Sequence, residues 1–281
     1  DEPVVVAEVL SRKTRRIDEG EKKDAYLTIP SLCVYLLIEQ EMAAVVAYRR
    51  TSHGFVREEH VGLDAGVRLL CDGSHDLSEI VIFPTTPSQK SGIEDLRLVR
   101  FTADDGTSTN FGTYTAFDGR VIRQELLTTA DFRHFELTPL SGDATASKGM
   151  ALFPRSIDGK FAMLGREDNE NIWLLTSNDI HEWNGGVKAI DPRWPWEFVQ
   201  IGNCGSPLEI DEGWLVITHG VGAVRNYCIG ACLLDRRDPS KLLARTAEPL
   251  LRSDMDEREG YVPNVAYSCG AMLHGRRLIL P

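Results

Sequence analysis

The sequence is short of what several common functions require. Lys and Arg number 31 against 42 Asp and Glu, for a formal charge of −11. A basic face for duplex nucleic acid or an anionic membrane is therefore not expected, and a small neutral ligand or a locally captured anion fits better. No run of about 18 apolar residues is present, and Asp1 to Leu10 lack the basic start and small-residue cleavage site of a signal peptide, so the chain as given reads as cytoplasmic. The six cysteines (Cys33, Cys71, Cys204, Cys228, Cys232, Cys269) form no CxxC pair, and the seven histidines form no HExxH or HxH, so no metal motif is present. Buried free thiols are the expected state of the cysteines. GxSxG, P-loop and GxGxxG patterns are missing too, which removes the key parts of serine-hydrolase, kinase and dinucleotide readings. Helical periodicity is scarce: 13 Pro and 24 Gly punctuate the chain, and no segment after residue 30 sustains a 3.6-residue apolar period.

What recurs is a hairpin: an apolar, β-branched or aromatic run, a turn rich in Gly and Asp, then a second such run. The copies are CVYLLIEQEMAAVVAYRR; LRLVRF, Asp104-Asp105-Gly106, FGTYTAF; MALFPRSI, Asp158-Gly159, KFAMLGR; SPLEI, Asp211-Glu212-Gly213, WLVITHGV; and NVAYSCGAML, His274-Gly275, RRLILP. Turn centres near residues 40, 106, 159, 213 and 275 give a period of roughly 50 to 65 residues, one four-stranded blade per copy. The expected fold is all-β, a five-bladed β-propeller. A β-sandwich is the structural alternative, but its turns come every 8 to 12 residues without this longer repeat. Residues 1–25, with the charged run RKTRRIDEGEKKD, read as a solvated arm or a ring-closing strand, and 26–281 as a single propeller domain. The chain stops at RRLILP within what reads as a strand, so the last blade is expected to be incomplete or completed by the arm.

A propeller collects its polar site where inner strands meet the axis, so functional residues should recur once or twice per repeat. In GIEDLR, Glu94 and Asp95 cannot both face inward unless the backbone bulges, because strand neighbours point to opposite faces. One is a site candidate, and the other pairs with Arg97 or forms a surface salt bridge. Lys148 before MALFPR and Arg166 at the end of the partner strand would converge at the open end of one hairpin and offer an anion site. The alternative is two separate surface bases. The cluster Glu167, Asp168, Asn169 and Asn171 that follows suits sugar hydroxyls or an ordinary loop. Further along stand Trp196 to Glu209 (WEFVQIGNCGSPLE) and His219-Gly220-Val221 with Arg225 and Tyr227. His219 falls at the same hairpin position as Arg166, which favours function over a satisfied core histidine.

These residues resemble glycoside hydrolase family 130, the inverting β-mannoside phosphorylases and their hydrolytic relatives, which are five-bladed propellers. The likeness runs from about Ala44 to Pro281 on Asp72-Gly73 with GIEDLR, KGMALFPRSIDGKFAMLGR, IGNCGSPLEIDEGWLVITHGV, GACLLDRRDP and EREGYVPNVAYSCG, in that order. The resemblance implies that Asp95 is the catalytic acid, relaying its proton through the 3-hydroxyl of the bound mannose. Phosphate, the co-substrate in place of any cofactor, attacks the anomeric carbon from the opposite face and replaces the second carboxylate of an ordinary inverting glycosidase. Lys148, Arg166, His219 and Tyr227 match or adjoin the family's phosphate-binding positions, and Arg97 would hold the acid's loop. Glu94, Arg97, Asp168, Asn169, Glu209 and Arg225 complete the expected substrate-contacting set. Three departures stand out. Leu96 replaces the usual Pro, Gln200 stands where many phosphorylases carry Lys, and the chain stops before the family's final aspartate-containing strand. The implied reaction is phosphorolysis of a β-mannoside to α-mannose 1-phosphate. An inverting hydrolase with Glu209 activating water, and a non-catalytic glycan-binding propeller, are the alternatives. The expected partners are a β-mannoside oligosaccharide and phosphate, with no nucleic acid or membrane, and a homo-oligomer is left open.

Overall fold

A computed structural model of the chain describes residues 5–11, 14–39, 44–61, 67–70, 80–254 and 262–281. Those residues are all-β in class, with two short helices and a few 3-10 turns among the strands.

Five groups of strands succeed one another along the chain. The first is β1 (Val5–Leu10), β2 (Val34–Glu39), β3 (Ala44–Thr51) and β4 (Gly54–Val61). The second is β5 (Val67–Leu70), β6 (Ile93–Thr102), β7 (Ser108–Phe117), β8 (Ile122–Thr129) and β9 (His134–Pro139). The third is β10 (Ala151–Leu152), β11 (Phe161–Gly165), β12 (Ile172–Ser177) and β13 (Val187–Ile190). The fourth is β14 (Gln200–Asn203), β15 (Leu208–Ile210), β16 (Gly213–Val221), β17 (Tyr227–Leu234), β18 (Leu242–Arg245) and β19 (Leu251–Arg252); the fifth is β20 (Met272–His274) and β21 (Arg277–Ile279). Two compact units contain them: Asp1–Ile93 with Ala116–Pro139, and Glu94–Thr115 with Leu140–Pro281.

In the first unit β1 lies parallel to β2, while β2, β3 and β4 run antiparallel in sequence order. The charged stretch after β1 forms α1 (Arg15–Asp18) and α2 (Glu21–Leu27). Tyr26, Leu27 and Ile29 pack on Leu10, Leu32, Tyr35 and Leu37, and Lys22 pairs with Glu8 at 2.5 Å. Helices this short show no full apolar period, which is why composition alone reads the stretch as solvated. Strands β5, β9 and β8 pair antiparallel in the same unit.

The second unit holds the β6–β7 hairpin, the sheet β10-β11-β12-β13, the six-stranded sheet built on β14-β16-β17-β18 with β15 and β19, and the β20–β21 hairpin. All five hairpins read from the sequence are present as paired strands: β2–β3, β6–β7, β10–β11, β15–β16 and β20–β21. The turn near residue 40 lies outside the described residues. At the others the glycines take the positive φ for which they are suited, +84° at Gly106, +73° at Gly159, +151° at Gly213 and +60° at Gly275. Asp158 (φ +50°) joins Gly159 in a two-residue turn closed by reciprocal Ile157 and Lys160 bonds, the arrangement that matches strand twist.

The repeat is measurable within this unit. Gly106, Gly159 and Gly213 stand 53 and 54 residues apart. Four side-chain ties each join residues 54 apart: Lys148 to Glu94, Asn203 to the Gly149 carbonyl, Arg155 to Glu209, and Arg245 to the Asp191 carbonyl. Two consecutive sheets share one buried core of Phe153, Leu164, Ile172, Ile201, Trp214, Val216 and Leu234, with the Phe153 ring edge-on to Trp214 at 5.0 Å. A satellite core joins Cys204, Ile217 and Ile229 to Ala266, Ala271 and Leu280.

Candidate active site

Strand β6 sets one end of the site. Asp95, Arg97, Val99 and Phe101 share the face turned inward, and Leu96 and Leu98 are outward and exposed. Asp95 has φ +60°, a left-handed conformation that interrupts the pleat beside Glu94 and costs backbone energy of order 1 kcal/mol. Alternation through β6 still puts the two carboxylates on opposite sides. Glu94 receives a hydrogen bond from Lys148 Nζ on the exposed side. Asp95 turns to the interior, where Tyr267 Oη donates to its Oδ2 at 3.0 Å and Cys269 Sγ donates to its Oδ1 at 3.5 Å. Arg97, 1% exposed, donates from Nη2 to Tyr267 Oη at 2.8 Å and lies 3.9 Å from Asp95 Oδ2. Its Nε is 3.4 Å from the Cys204 carbonyl, and its Nη1 has no hydrogen-bond partner among the described residues.

The other end is built by the ends of β11, β14, β16 and β17. Arg166, 9% exposed, lies against Gly149, and His219, 1% exposed, is on β16 opposite Gly202 of β14. Gly202 is required by close approach: a Cβ there would stand 2.5 Å from His219 Cε1, 2.7 Å from His219 Nε2 and 2.9 Å from Arg166 Cδ. The His219 ring stacks on Tyr227 at 5.8 Å and meets the edge of Tyr267 at 5.0 Å; its Nδ1 lies 3.9 Å from Cys204 Sγ. With the Gln200 amide oxygen turned to Arg166, it accepts from Nη1 at 2.8 Å while the amide nitrogen donates to the Asn169 carbonyl at 3.1 Å. Arg166 Nε, buried, has no partner among the described residues.

The electrostatics separate these groups. Burial, reinforced by the Arg166 and Arg97 charges, holds His219 well below the usual histidine value, so it is a neutral imidazole at pH 7. Burial also lowers Arg166, with Arg97 adding to the effect, but a guanidinium stays charged at neutral pH. Burial pushes the Cys204 thiol up to about 12 and the Cys269 thiol up to about 11, the latter helped by Asp95, so both are protonated donors rather than nucleophiles. Burial raises the Tyr267 hydroxyl, and the Asp95 charge adds to that.

The remaining expected residues occupy different surroundings. Lys148 is engaged by Glu94, so Arg166 is the cation of the pair whose nitrogen is left open. Asp168 is an Asx turn: burial opposes its ionisation, but bonds from the Asn171 and Glu170 N–H groups and the Asn171 amide hold its carboxyl below the usual range. Asn169 has φ +62° and lends its carbonyl to Gln200. Arg225 follows Val224 in an exposed turn between β16 and β17, both left-handed. Glu209, on β15, is clamped by Arg155 at 2.7 and 2.9 Å with Arg236 at 3.9 Å, and Arg155 above all holds its carboxyl low. Asp72, Gly73 and residues 257–261 lie outside the described residues. Tyr267 carries no signal in the sequence beyond its place in YSCG of the fifth motif, and Cys204 and Cys269 read there only as buried free thiols.

The family model for glycoside hydrolase family 130, described as beta-1,4-mannooligosaccharide phosphorylase, matches residues 37–281. The chain belongs to glycoside hydrolase family 130. It is 35% identical over 199 residues to a 1,2-beta-oligomannan phosphorylase of Thermoanaerobacter sp. (strain X514), covering 69% of this chain and 65% of that protein. To a beta-1,2-mannobiose phosphorylase of Listeria innocua serovar 6a it is 31% identical over 207 residues, covering 70% and 56%. A beta-1,2-mannobiose phosphorylase from Listeria innocua, solved with beta-1,2-mannobiose, superposes with TM-score 0.64 at 26% identity over 84% of this chain and 62% of that one. The chain thus spans less than two thirds of the length of these relatives. A family 130 structure from work on hydrolases of β-1,2-mannosidic linkages in Candida mannan matches at TM-score 0.56 and 18% identity, over 88% and 79%, a likeness of fold alone.

Proposed function

We propose that this family 130 chain is the core of an inverting glycoside phosphorylase on a five-bladed propeller, cleaving β-mannosides with inorganic phosphate to α-mannose 1-phosphate. One observation carries it: a buried Arg166 Nε with no partner among the described residues, beside neutral His219, Tyr227 and Tyr267 and in the same interior cluster as the carboxyl of Asp95. Cationic and N–H donors of this kind are fitted to an oxyanion, and a positioned carboxyl is fitted to proton donation.

In this reading phosphate is held by Arg166 with His219 and Tyr227 as neutral donors. A phosphate oxygen forms the new bond to C1 of the mannosyl unit as the bond from C1 to the leaving sugar breaks. The leaving oxygen takes the proton supplied by Asp95, by way of the mannose 3-hydroxyl, and the anomeric centre inverts. The names of the relatives support phosphorolysis. They carry both 1,2 and 1,4 linkages, so the substrate is put at the level of a β-mannoside. Repetition at 54 residues in four independent ties supports the propeller. The hydrolase alternative with Glu209 as base is disfavoured, because Arg155 occupies both of its oxygens. The five described cysteines are free, in keeping with a reducing, cytoplasmic setting.

The test is to supply β-1,2- and β-1,4-mannobiose with and without phosphate and follow α-mannose 1-phosphate by phosphorus NMR. The sugar phosphate is expected only in the phosphate arm. Equal turnover without phosphate sinks the reading.

A further inference from the structure

The acid and the anion pocket are joined by one side chain that neither role requires. Tyr267 Oη accepts from Arg97 Nη2 at 2.8 Å and donates to Asp95 Oδ2 at 3.0 Å. A phenol has a single proton, and Arg97 can only donate, so the hydroxyl proton is forced toward Asp95. The same ring is edge-on to His219 at 5.0 Å and to Tyr227 at 6.3 Å, which form the wall of the anion pocket. Cys269 caps the other Asp95 oxygen from two residues along. Arg97 is fully buried and cannot swing, so the chain Arg97, Tyr267, Asp95 has a fixed direction.

We propose that Tyr267 is a positioning residue for the proton donor: it aims Asp95 through the Arg97–Tyr267–Asp95 hydrogen-bond chain and ties that aim to the anion-pocket wall, with Cys269 as a weaker second cap. The inference rests on Asp95 being the acid; it does not require that phosphate rather than water be the attacking group. The left-handed backbone at Asp95 explains the need for such support, since a strained residue keeps its orientation only where its surroundings over-determine it. The 3.9 Å separation of Arg97 from Asp95 leaves the direct ion pair long and makes the phenol the effective contact.

The experiment uses Tyr267→Phe, which keeps the ring against His219 and Tyr227 and removes the hydroxyl alone. With mannobiose, kcat is expected to fall about 10- to 100-fold, the scale of one hydrogen bond to a charged group, with KM for phosphate within about twofold of wild type. With a dinitrophenyl β-mannoside, whose leaving group needs no proton, the loss should shrink to about twofold, which a merely structural role would not produce. Cys269→Ala should lower kcat on mannobiose by less than fivefold, and Cys269→Ser should restore it. This second pair keeps the test open should Tyr267→Phe fold poorly. The idea is overturned by wild-type kcat in Tyr267→Phe, by equal losses on both substrates, or by a Cys269→Ala loss larger than that of Tyr267→Phe. If wild type releases mannose equally without phosphate, the phosphorylase reading fails, and the two-substrate comparison, run on mannose release, still decides the role of Tyr267.

Discussion

Adding one methyl group at Gly202 tests whether the His219–Arg166 pocket is as tightly fixed as its contacts imply. The new Cβ would stand 2.5 and 2.7 Å from the His219 ring and 2.9 Å from Arg166 Cδ, where carbon contacts relax only near 3.5–4.0 Å. Something must retreat by about 1 Å, and the ring has little room: it is buried, stacked on Tyr227, met by Tyr267 and backed by Cys204. Overpacking of this kind costs about 1–3 kcal/mol. For a chain of this size that lowers Tm by about 2–5 °C. Displacing the anion donors by such a distance should cut kcat/KM for phosphate up to about 100-fold. The control is Gly112→Ala on β7. Its Cβ would meet Leu96 Cδ1 at 2.6 Å, just as close, but Leu96 is 42% exposed and its terminal methyl can rotate away. That variant should stay within about 0.5 kcal/mol of wild type. Calorimetry and phosphate-dependent kinetics on both variants decide the matter. Equal stability and equal phosphate KM for Gly202→Ala and wild type would refute the reasoning.

Asp95→Asn keeps the shape but lacks the proton, so turnover on mannobiose should fall by about two to four orders of magnitude while Tm stays near wild type; near-normal turnover removes Asp95 from its role. Gln200→Lys adds a cation beside Arg166 and removes the acceptor at Nη1, so Tm should drop in phosphate-free buffer and recover with phosphate, and KM for phosphate should fall about tenfold; an unchanged KM refutes the placement. His219 gives a pH dependence. Its folded value is depressed, so between pH 6.5 and that value the unfolded chain binds a proton the folded chain does not, and stability falls as pH drops, by up to about 1.4 kcal/mol per unit. The Tm advantage of wild type over His219→Gln should shrink from pH 7.5 to 5; a constant advantage contradicts a buried neutral imidazole facing Arg166, Arg97 and two tyrosines.

The hairpins were legible because each is closed by its own turn residues: Asp158-Gly159 and Gly213 state locally what their strands do. The division between Glu94 and Asp95 was legible too, since strand alternation allows only one of them to face inward, whereas the left-handed backbone at Asp95 was not. Partners were not legible where they depend on distant chain. Tyr267 reaches Asp95 across 172 residues, and no local pattern marks the pair. Lys148 sits beside its expected neighbourhood, with Gly149 against Arg166, yet its ammonium goes to Glu94. His219 looks like a cation in sequence, but burial beside two arginines makes it neutral. The helices at residues 15–27 were hidden by length and charge, their apolar contacts confined to one short edge.

The bond between Asp95 and Tyr267 has a consequence for how activity is lost. The hairpins of the second unit close over a few residues each, whereas Asp95 and Tyr267 are brought together across more than half the chain by side-chain bonds. A partial opening that frees residues 264–269 breaks both caps on Asp95, the edge contacts to His219 and Tyr227 and the Tyr227 backbone bonds to Asn264 and Ala266, while β11 keeps β12 and β16 keeps β17. Heat or dilute denaturant is therefore expected to cost turnover before circular dichroism reports loss of the sheets, and turnover falling only together with the circular-dichroism signal would show that clasp and sheets open as one.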